Sequence, residues 1–231
     1  MLAKPDSNVL AGLALFRDLT PEQLAWLSDH LHLQTFPAAS NIATVEQPGE
    51  IVYIIVSGTI KIYVDQMDGT EVILAILGPG DTVGELSLFD SAGRSANVVT
   101  MEKATLLWMD RATFWECLKT MPALTYELVH IVCNRLRLAD EQIKALATLD
   151  IYGRVARQLL AIAERYGQAT ENGDTLIPIR LTQSDIAGLV GASRERVNQV
   201  MVTYKQGNYI SVDHNYRITI HNQQALIERC Q

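Results

Sequence analysis

The chain is 231 residues long, 48% hydrophobic and 19% charged, with a formal net charge of −7. That length allows two modest domains, and so ordinary a composition excludes collagen-like, low-complexity and disulfide-scaffold proteins. The longest apolar runs, Ile51–Val56 and Ile73–Leu77, are strand-sized, far short of the roughly 20 residues that cross a bilayer.

Lys4-Pro5-Asp6 ahead of the patch Val9–Phe16 makes a poor signal peptide, so the expectation is a cytoplasmic protein without a membrane partner. Cys117, Cys133 and Cys230 lie far apart with no CxxC pair. That spacing argues against a disulfide framework, a zinc site or a cysteine-held iron–sulfur cluster. The negative charge is uneven: residues 1–149 carry about −8 and residues 150–231 about +1. Local basic surface, not the sum over the chain, governs attraction to phosphate.

From Phe36 to about Met109 short apolar runs alternate with turn signals. Pro48-Gly49, Ser57-Gly58, Asp68-Gly69 and Gly78-Pro79-Gly80-Asp81 separate Ile51–Val56, Thr59–Val64, Thr70–Leu77 and Ala96–Met109. This spacing predicts an all-β sandwich or barrel, with Asp68-Gly69 suited to a tight hairpin. His30 and His32 fall two apart on a helical pattern, so they point in different directions and read as ordinary polar positions. Within the β region stands GELSLFDSAGRSA, from Gly84 to Ala96. Gly84 permits close backbone approach, and Glu85, Leu86 and Ser87 can open one helical turn whose free N–H groups face an anion. Arg94 can fork onto a phosphate while Glu85 accepts from a ribose hydroxyl. A structural Glu85–Arg94 ion pair explains the same residues equally well.

Beyond Asp110 helical periodicity takes over, with a short segment Arg111–Leu118 and then a long helix from about Ala123 to Leu149. Val129, Val132, Leu136, Ala139, Ile143 and Leu146 recur in steps of three and four, an a/d seam that predicts a two-stranded coiled coil. A helix lying against its own β domain is the competing reading. Ile151–Tyr166 forms another amphipathic helix ended by Gly167, followed by a polar loop, Gln168–Asp174, and a strand-like stretch, Leu176–Arg180.

The strongest local signal is LTQSDIAGLVGASRERVNQVMVTYKQGNYI, starting at Leu181. Thr182 with Asp185 resembles a capping box, Ala187 gives room where two helices cross, and Gly191 suits a left-handed turn. Ser193 can cap a second helix whose inward face is Val197, Val200, Met201 and Tyr204, packed against Ile186 and Val190. This is a helix-turn-helix pattern. Arg194, Glu195, Asn198 and Gln199 share the exposed face and suit base edges: Arg for guanine, Glu for cytosine, Asn or Gln for adenine. Arg196 and Lys205 suit phosphates. Tyr209–Val212, the turn Asp213–Tyr216 and Arg217–Ile220 form a wing whose Arg217 can touch the DNA backbone. Thr182 and Ser193, at the two helix starts, complete the expected DNA-contacting set.

Over nearly its whole length the chain resembles the cyclic-AMP receptor protein/fumarate-nitrate regulator family. GELSLFDSAGRSA is similar to that family's phosphate-binding cassette, SRERVNQV to its recognition helix, and LATLDIYGRVARQLL to the stretch joining dimer helix to DNA domain. The resemblance implies a bacterial α+β regulator. Residues 1–122 would form a jelly-roll-like cyclic-nucleotide-binding β-roll, 123–149 a dimerisation helix, and 150–231 a winged helix-turn-helix. It also implies that Glu85 meets the ribose 2′-hydroxyl and Arg94 the cyclic phosphate, with Ser95 close by. Arg194 and Glu195 match the pair that reads a GTG-type core.

Two positions depart from the family. Ala139 and Asp140 stand where cyclic-AMP-responsive members place an adenine-contacting Thr-Ser pair, although Asp140 can still accept from an exocyclic amine. Gln199 stands where several relatives place a second base-reading Arg. The expected ligand is therefore cyclic AMP, with cyclic GMP or an empty sensor as alternatives. The expected partners are a second copy of the chain, a pseudo-palindromic double-stranded DNA site and RNA polymerase, for which the sequence marks no surface. A haem branch lacks axial ligands, since there is no His between Leu33 and Val129. No GxSxG, HExxH or metal cluster supports an enzyme, so no catalytic residue is assigned.

Overall fold

The computed structural model describes residues 4–45, 47–90 and 92–230; Ser91, inside the glycine-rich cassette, lies outside them. The chain divides into two units, residues 1–64 with 74–136, and residues 65–73 with 137–231.

In the first unit α1 (Ser7–Ala11) and α2 (Pro21–His30) precede the strands. These are β1 (His32–Phe36), β2 (Asn41–Ala43), β3 (Ile51–Ser57), β4 (Ile60–Asp65), β5 (Glu71–Leu77), β6 (Thr82–Val83), β7 (Asn97–Thr100) and β8 (Ala104–Asp110). α3 (Glu85–Asp90) interrupts them, and α4 (Arg111–Thr120) and α5 (Pro122–Thr148) follow, α5 running on into the second unit after Leu136. The strands make two four-stranded sheets, in the orders β1-β8-β3-β6 and β2-β7-β4-β5. Alternation along each strand sends successive side chains to opposite faces. Val52, Ile54, Leu107 and Met109 therefore pack on Leu27, Phe114, Leu124 and Leu128 from the helices. Ile55 and Leu106 turn the other way and meet Ile60, Leu77 and Val98 of the second sheet. Burial on both faces explains why β3 and β8 read as nearly unbroken apolar runs.

The β-roll and the long helix match the sequence reading, with local differences. The run Ala96–Met109 is two strands, broken where Met101 N–H bonds to Thr59 O at 2.8 Å. His32 is not helical: Leu31 is extended, and His32 opens β1 opposite Trp108. α5 starts at Pro122 and ends at Thr148, one residue earlier at each end than expected. Its Leu124 and Leu128 are buried, yet Val129, Leu136 and Ile143 are 56%, 62% and 64% exposed. The first turns of the helix thus pack on the β domain, while the residues of the expected seam stand exposed. No helix among the described residues is long and apolar enough to cross a membrane.

In the second unit α5 stops before Asp150, whose side chain accepts from Gly153 N–H and caps α6 (Ile151–Tyr166). β9 (Gln168–Ala169) occupies the start of the expected loop. The remaining elements are β10 (Thr175–Ile177), α7 (Gln183–Val190), α8 (Arg194–Gln206), β11 (Ile210–Val212), β12 (Ile218–Ile220) and α9 (Gln223–Glu228). β11, β12, β10 and β9 form one antiparallel sheet. α6 buries Val155, Leu159 and Ile162 and touches α7, α8, α9 and β10.

Candidate functional site

The first candidate site forms where β6 runs into α3. Gly84 joins them at φ +91, and a Cβ there would fall 1.8 Å from Arg94 Nη1. Only glycine tolerates both the left-handed backbone and the guanidinium beside it. Gly49 is equally confined, because its Cβ would lie 2.1 Å from Ser87 Cβ. Two glycines thus let α3 and Arg94 close on β3 from neighbouring loops.

Arg94 is 8% exposed and donates through Nη2 to Ile51 O at 2.6 Å, while its Nη1 is buried with no hydrogen-bond partner. Burial lowers the pKa of the guanidinium, opposed by Tyr53, Glu85 and Glu50 nearby; an arginine still stays charged. Glu85 is 2% exposed, and its Oε1 accepts from Arg135 Nη1 at 2.7 Å. Arg135 also donates to the Thr82 carbonyl and lies 4.0 Å from Asp81 Oδ1. The ion pair considered for Glu85 and Arg94 is corrected here: the partner of Glu85 is Arg135, one helix away on α5. Nothing in the sequence marked Arg135, since it sits fifty positions downstream among the polar residues of a long amphipathic helix.

Glu85 Oε2 is also buried without a partner. One acceptor, Glu85 Oε2, and two donors, Arg94 Nη1 and Arg135 Nε, are thus left unmet around a single cradle. Native interiors contain few such groups, and each costs about 1–3 kcal/mol. A ligand offering an anionic oxygen to Arg94 and a hydroxyl to Glu85 would satisfy the first two. Ser87 is buried under the turn, whereas Leu86, Ser95 and Asp140 are exposed. The cradle therefore unites Gly84, Glu85 and Arg94 from the expected set, and adds Arg135.

The second candidate site is built on α7 and α8. Thr182 Oγ1 accepts from Asp185 N–H at 3.1 Å and Asp185 Oδ2 accepts from Thr182 N–H at 2.9 Å, so both halves of the box are present. The Thr182 hydroxyl donates to the same carboxylate at 2.6 Å, so its proton is already committed to the cap. Gly191 closes α7 at φ 62, in the left-handed region. The last carbonyls of α7 are taken by side chains: Gln142 donates to Leu189 O at 3.0 Å and Arg154 to Val190 O at 2.8 Å. Ser193 then caps α8 by accepting from Arg196 N–H at 3.4 Å.

Behind the pair Ile186, Ala187, Val190, Val197, Val200, Met201 and Tyr204 are buried, as their spacing predicts. Arg194, Glu195, Arg196, Asn198 and Gln199 stand exposed. Arg217 has a partner within the wing. Its Nε and Nη2 both meet Asp213 Oδ2 at 2.8 Å, so its charge is matched within the wing. Arg180 is the exposed cation beside it, 4.9 Å over the Tyr216 ring. The three cysteines are unpaired, and Cys117, pushed up to about 12 by burial, is chemically quiet. No cluster of metal-binding side chains occurs among the described residues.

Residues 33–121 match a family model for the cyclic nucleotide-binding domain, and residues 153–229 one for the Crp-like helix-turn-helix domain. The chain is 34% identical over 206 residues to a CRP-like cAMP-activated global transcriptional regulator of Mycobacterium tuberculosis, covering 89% of this chain and 92% of that one. It is 31% identical to a cyclic AMP receptor protein of Thermus thermophilus, covering 83% of this chain and 85% of that one. Its fold is like that of a CooA mutant from Carboxydothermus hydrogenoformans, with a TM-score of 0.76 at 20% identity, covering 100% of this chain and 98% of that one.

Proposed function

Because the chain belongs to the CRP/FNR family of transcription regulators, we propose that it reads a pseudo-palindromic DNA site as a homodimer under the control of cyclic AMP. The observation that carries the sensor half is the pair of unmet buried atoms, Glu85 Oε2 and Arg94 Nη1. A cyclic phosphate gives Arg94 its acceptor and a ribose hydroxyl gives Glu85 its donor. Cyclic AMP is preferred over cyclic GMP because similar proteins carry names that call them cAMP-activated.

Dimerisation is supported by α5, whose exposed Val129, Leu136, Ile143 and Leu146 are large apolar side chains without cover. Two copies would bury that seam as a coiled coil and set two α8 helices about 34 Å apart, one turn of DNA. In this reading Arg194 and Glu195 meet bases, Asn198 and Gln199 assist, and Arg196 meets phosphate. Ligand acts by favouring one arrangement of the dimer helices over another, through different contacts in each. The break between α5 and α6 at Leu149 and Asp150 supplies a hinge.

A second reading keeps the DNA half but leaves the sensor empty. Arg135 already satisfies one oxygen of Glu85 from within the chain, and Ala139 offers no hydrogen bond to a base. Titration calorimetry with cyclic AMP and cyclic GMP separates the two. Saturable heat with cyclic AMP, lost by at least about 100-fold in Arg94→Leu, is expected if the arginine grips a phosphate. Absence of heat with either nucleotide, together with unchanged DNA affinity, leaves the empty sensor.

A further inference from the structure

One contact on the DNA-facing side ties the two helices of the motif together by their polar side chains. Gln183, the first residue of α7, donates through Nε2 to Asn198 Oδ1 on α8 at 2.7 Å, and the contact lies in the open. A carboxamide carries an acceptor on one edge and donors on the other. Pairing Asn with adenine uses both edges together, the oxygen on N6–H and the nitrogen on N7. Here the oxygen edge is held toward α7. Its second lone pair remains, but turning both edges onto an adenine competes with the bond to Gln183. With the oxygen engaged, the nitrogen edge is the one left to lead.

We propose that Gln183 is a positioning residue for base recognition: by holding the Asn198 oxygen, it makes Asn198 a hydrogen-bond donor toward the major groove. The inference rests on α8 being the base-reading helix. Asn198 then favours guanine, whose N7 and O6 are both acceptors, and thymine, whose O4 is one. It disfavours cytosine, which offers only the N4 amine in the major groove, and it gives adenine one bond in place of two. Asn198 follows Arg194 by one helical turn, so its base pair neighbours the one assigned to Arg194.

The test uses the full-length protein with and without cyclic AMP. Sites are selected from a randomised duplex library, and duplexes carrying each of the four base pairs at every half-site position are then compared by competition anisotropy. Wild type should show one position at which guanine or thymine is preferred to cytosine by about fivefold to tenfold, a single good hydrogen bond. Asn198→Ala should flatten that position alone. Gln183→Glu should invert it. A carboxylate only accepts, so Asn198 must turn its nitrogen toward residue 183 and face DNA with its oxygen, favouring cytosine or adenine. Absolute affinity falls for every duplex because of the added negative charge, but the ratio between duplexes reports the inversion. Gln183→Ala should release the amide and let adenine gain.

Melting temperatures within a degree or two of wild type would show that the variants fold. If Gln183→Ala and Gln183→Glu keep the wild-type preference at every position, the inference is overturned. It is equally overturned if both lose affinity uniformly across all base pairs, which marks Gln183 as a phosphate contact. Arg194→Ala is the control for the underlying reading. Should it, too, leave every preference intact, α8 is not the reader; should it flatten its own position while the Gln183 variants change nothing, only the role of Gln183 is lost.

Discussion

In the cradle the polar side chains lie inside the fold, with Glu85 2% and Arg94 8% exposed, whereas Arg194, Glu195, Asn198 and Gln199 of α8 stand in solvent. The cradle gains strength from burial, since a charge–ligand contact is worth more away from water. It must then keep its charges satisfied whenever ligand is absent, and Arg135 does so for one oxygen of Glu85. The exposed side chains of α8 carry no such requirement. Its side chains are hydrated until DNA replaces the water, and only the frame beneath them is buried. Changes at the first site should therefore disturb stability as well as function, while changes at the second should disturb function alone.

The sharpest way to break that contrast is Arg135→Ala. Removing it strands the Glu85 carboxylate, which is buried and already has one unpaired oxygen. Loss of one partner of a buried pair costs about 3 kcal/mol. Trp26, Trp108 and Trp115 are the only tryptophans in the chain and all lie in the sensor unit. Urea unfolding followed by tryptophan fluorescence therefore reads that unit alone. Adding Glu85→Gln should recover much of the loss, because the uncompensated charge is gone. A full-strength sensor unit in Arg135→Ala would mean that the carboxylate is hydrated, and that the cradle does not differ from α8 in kind.

Arg194→Ala is the matching change on the exposed site. It should cost about 1–3 kcal/mol on a selected DNA site and much less on random DNA, with no change in the tryptophan unfolding curve. Equal losses on selected and random duplexes would reassign Arg194 to phosphate contact and weaken the contrast from the other side.

The same difference decides what could be read from sequence. The helix-turn-helix is made of local rules: a box from Thr182 to Asp185, a left-handed Gly191, a cap at Ser193, and apolar spacing three and four apart. Each rule spans a few residues, so the string alone carries it. The cradle was legible only in part, through Gly84, Glu85 and Arg94, because its remaining member reaches in from α5. Gln183 and Asn198 are fifteen positions apart and meet only once the two helices cross. The ion pair of Arg217 with Asp213 across a turn is likewise a contact that the string did not announce. The strand break after Thr100 has no Gly or Pro to announce it, because Thr59 imposes it from the turn between β3 and β4 through bonds to Met101 N–H and to Glu102.

The smallest expected effect compares the two units at their helix caps. α7 and α8 are capped by the hydroxyls of Thr182 and Ser193, but α4, in the sensor unit, is capped by Asp110, whose carboxylate accepts from Thr113 N–H at 2.8 Å. The backbone N–H and side chain of Thr113 hold this carboxyl below the usual aspartate range. Its charged form is therefore favoured by folding. The contribution is complete above the ordinary carboxylate pKa and fades as pH falls through the lowered one. Asp110→Ala should cost about 1 kcal/mol near pH 7, and the gap from wild type should narrow at about pH 3, where the unfolded carboxyl is already protonated. Both values come from the tryptophan unfolding curves. Ser193→Ala, which removes an uncharged cap, should cost a similar amount at both pH values, read from the helical signal of the DNA-binding unit. A gap for Asp110→Ala that stays constant with pH would show that the α4 cap acts by its shape and not by its charge.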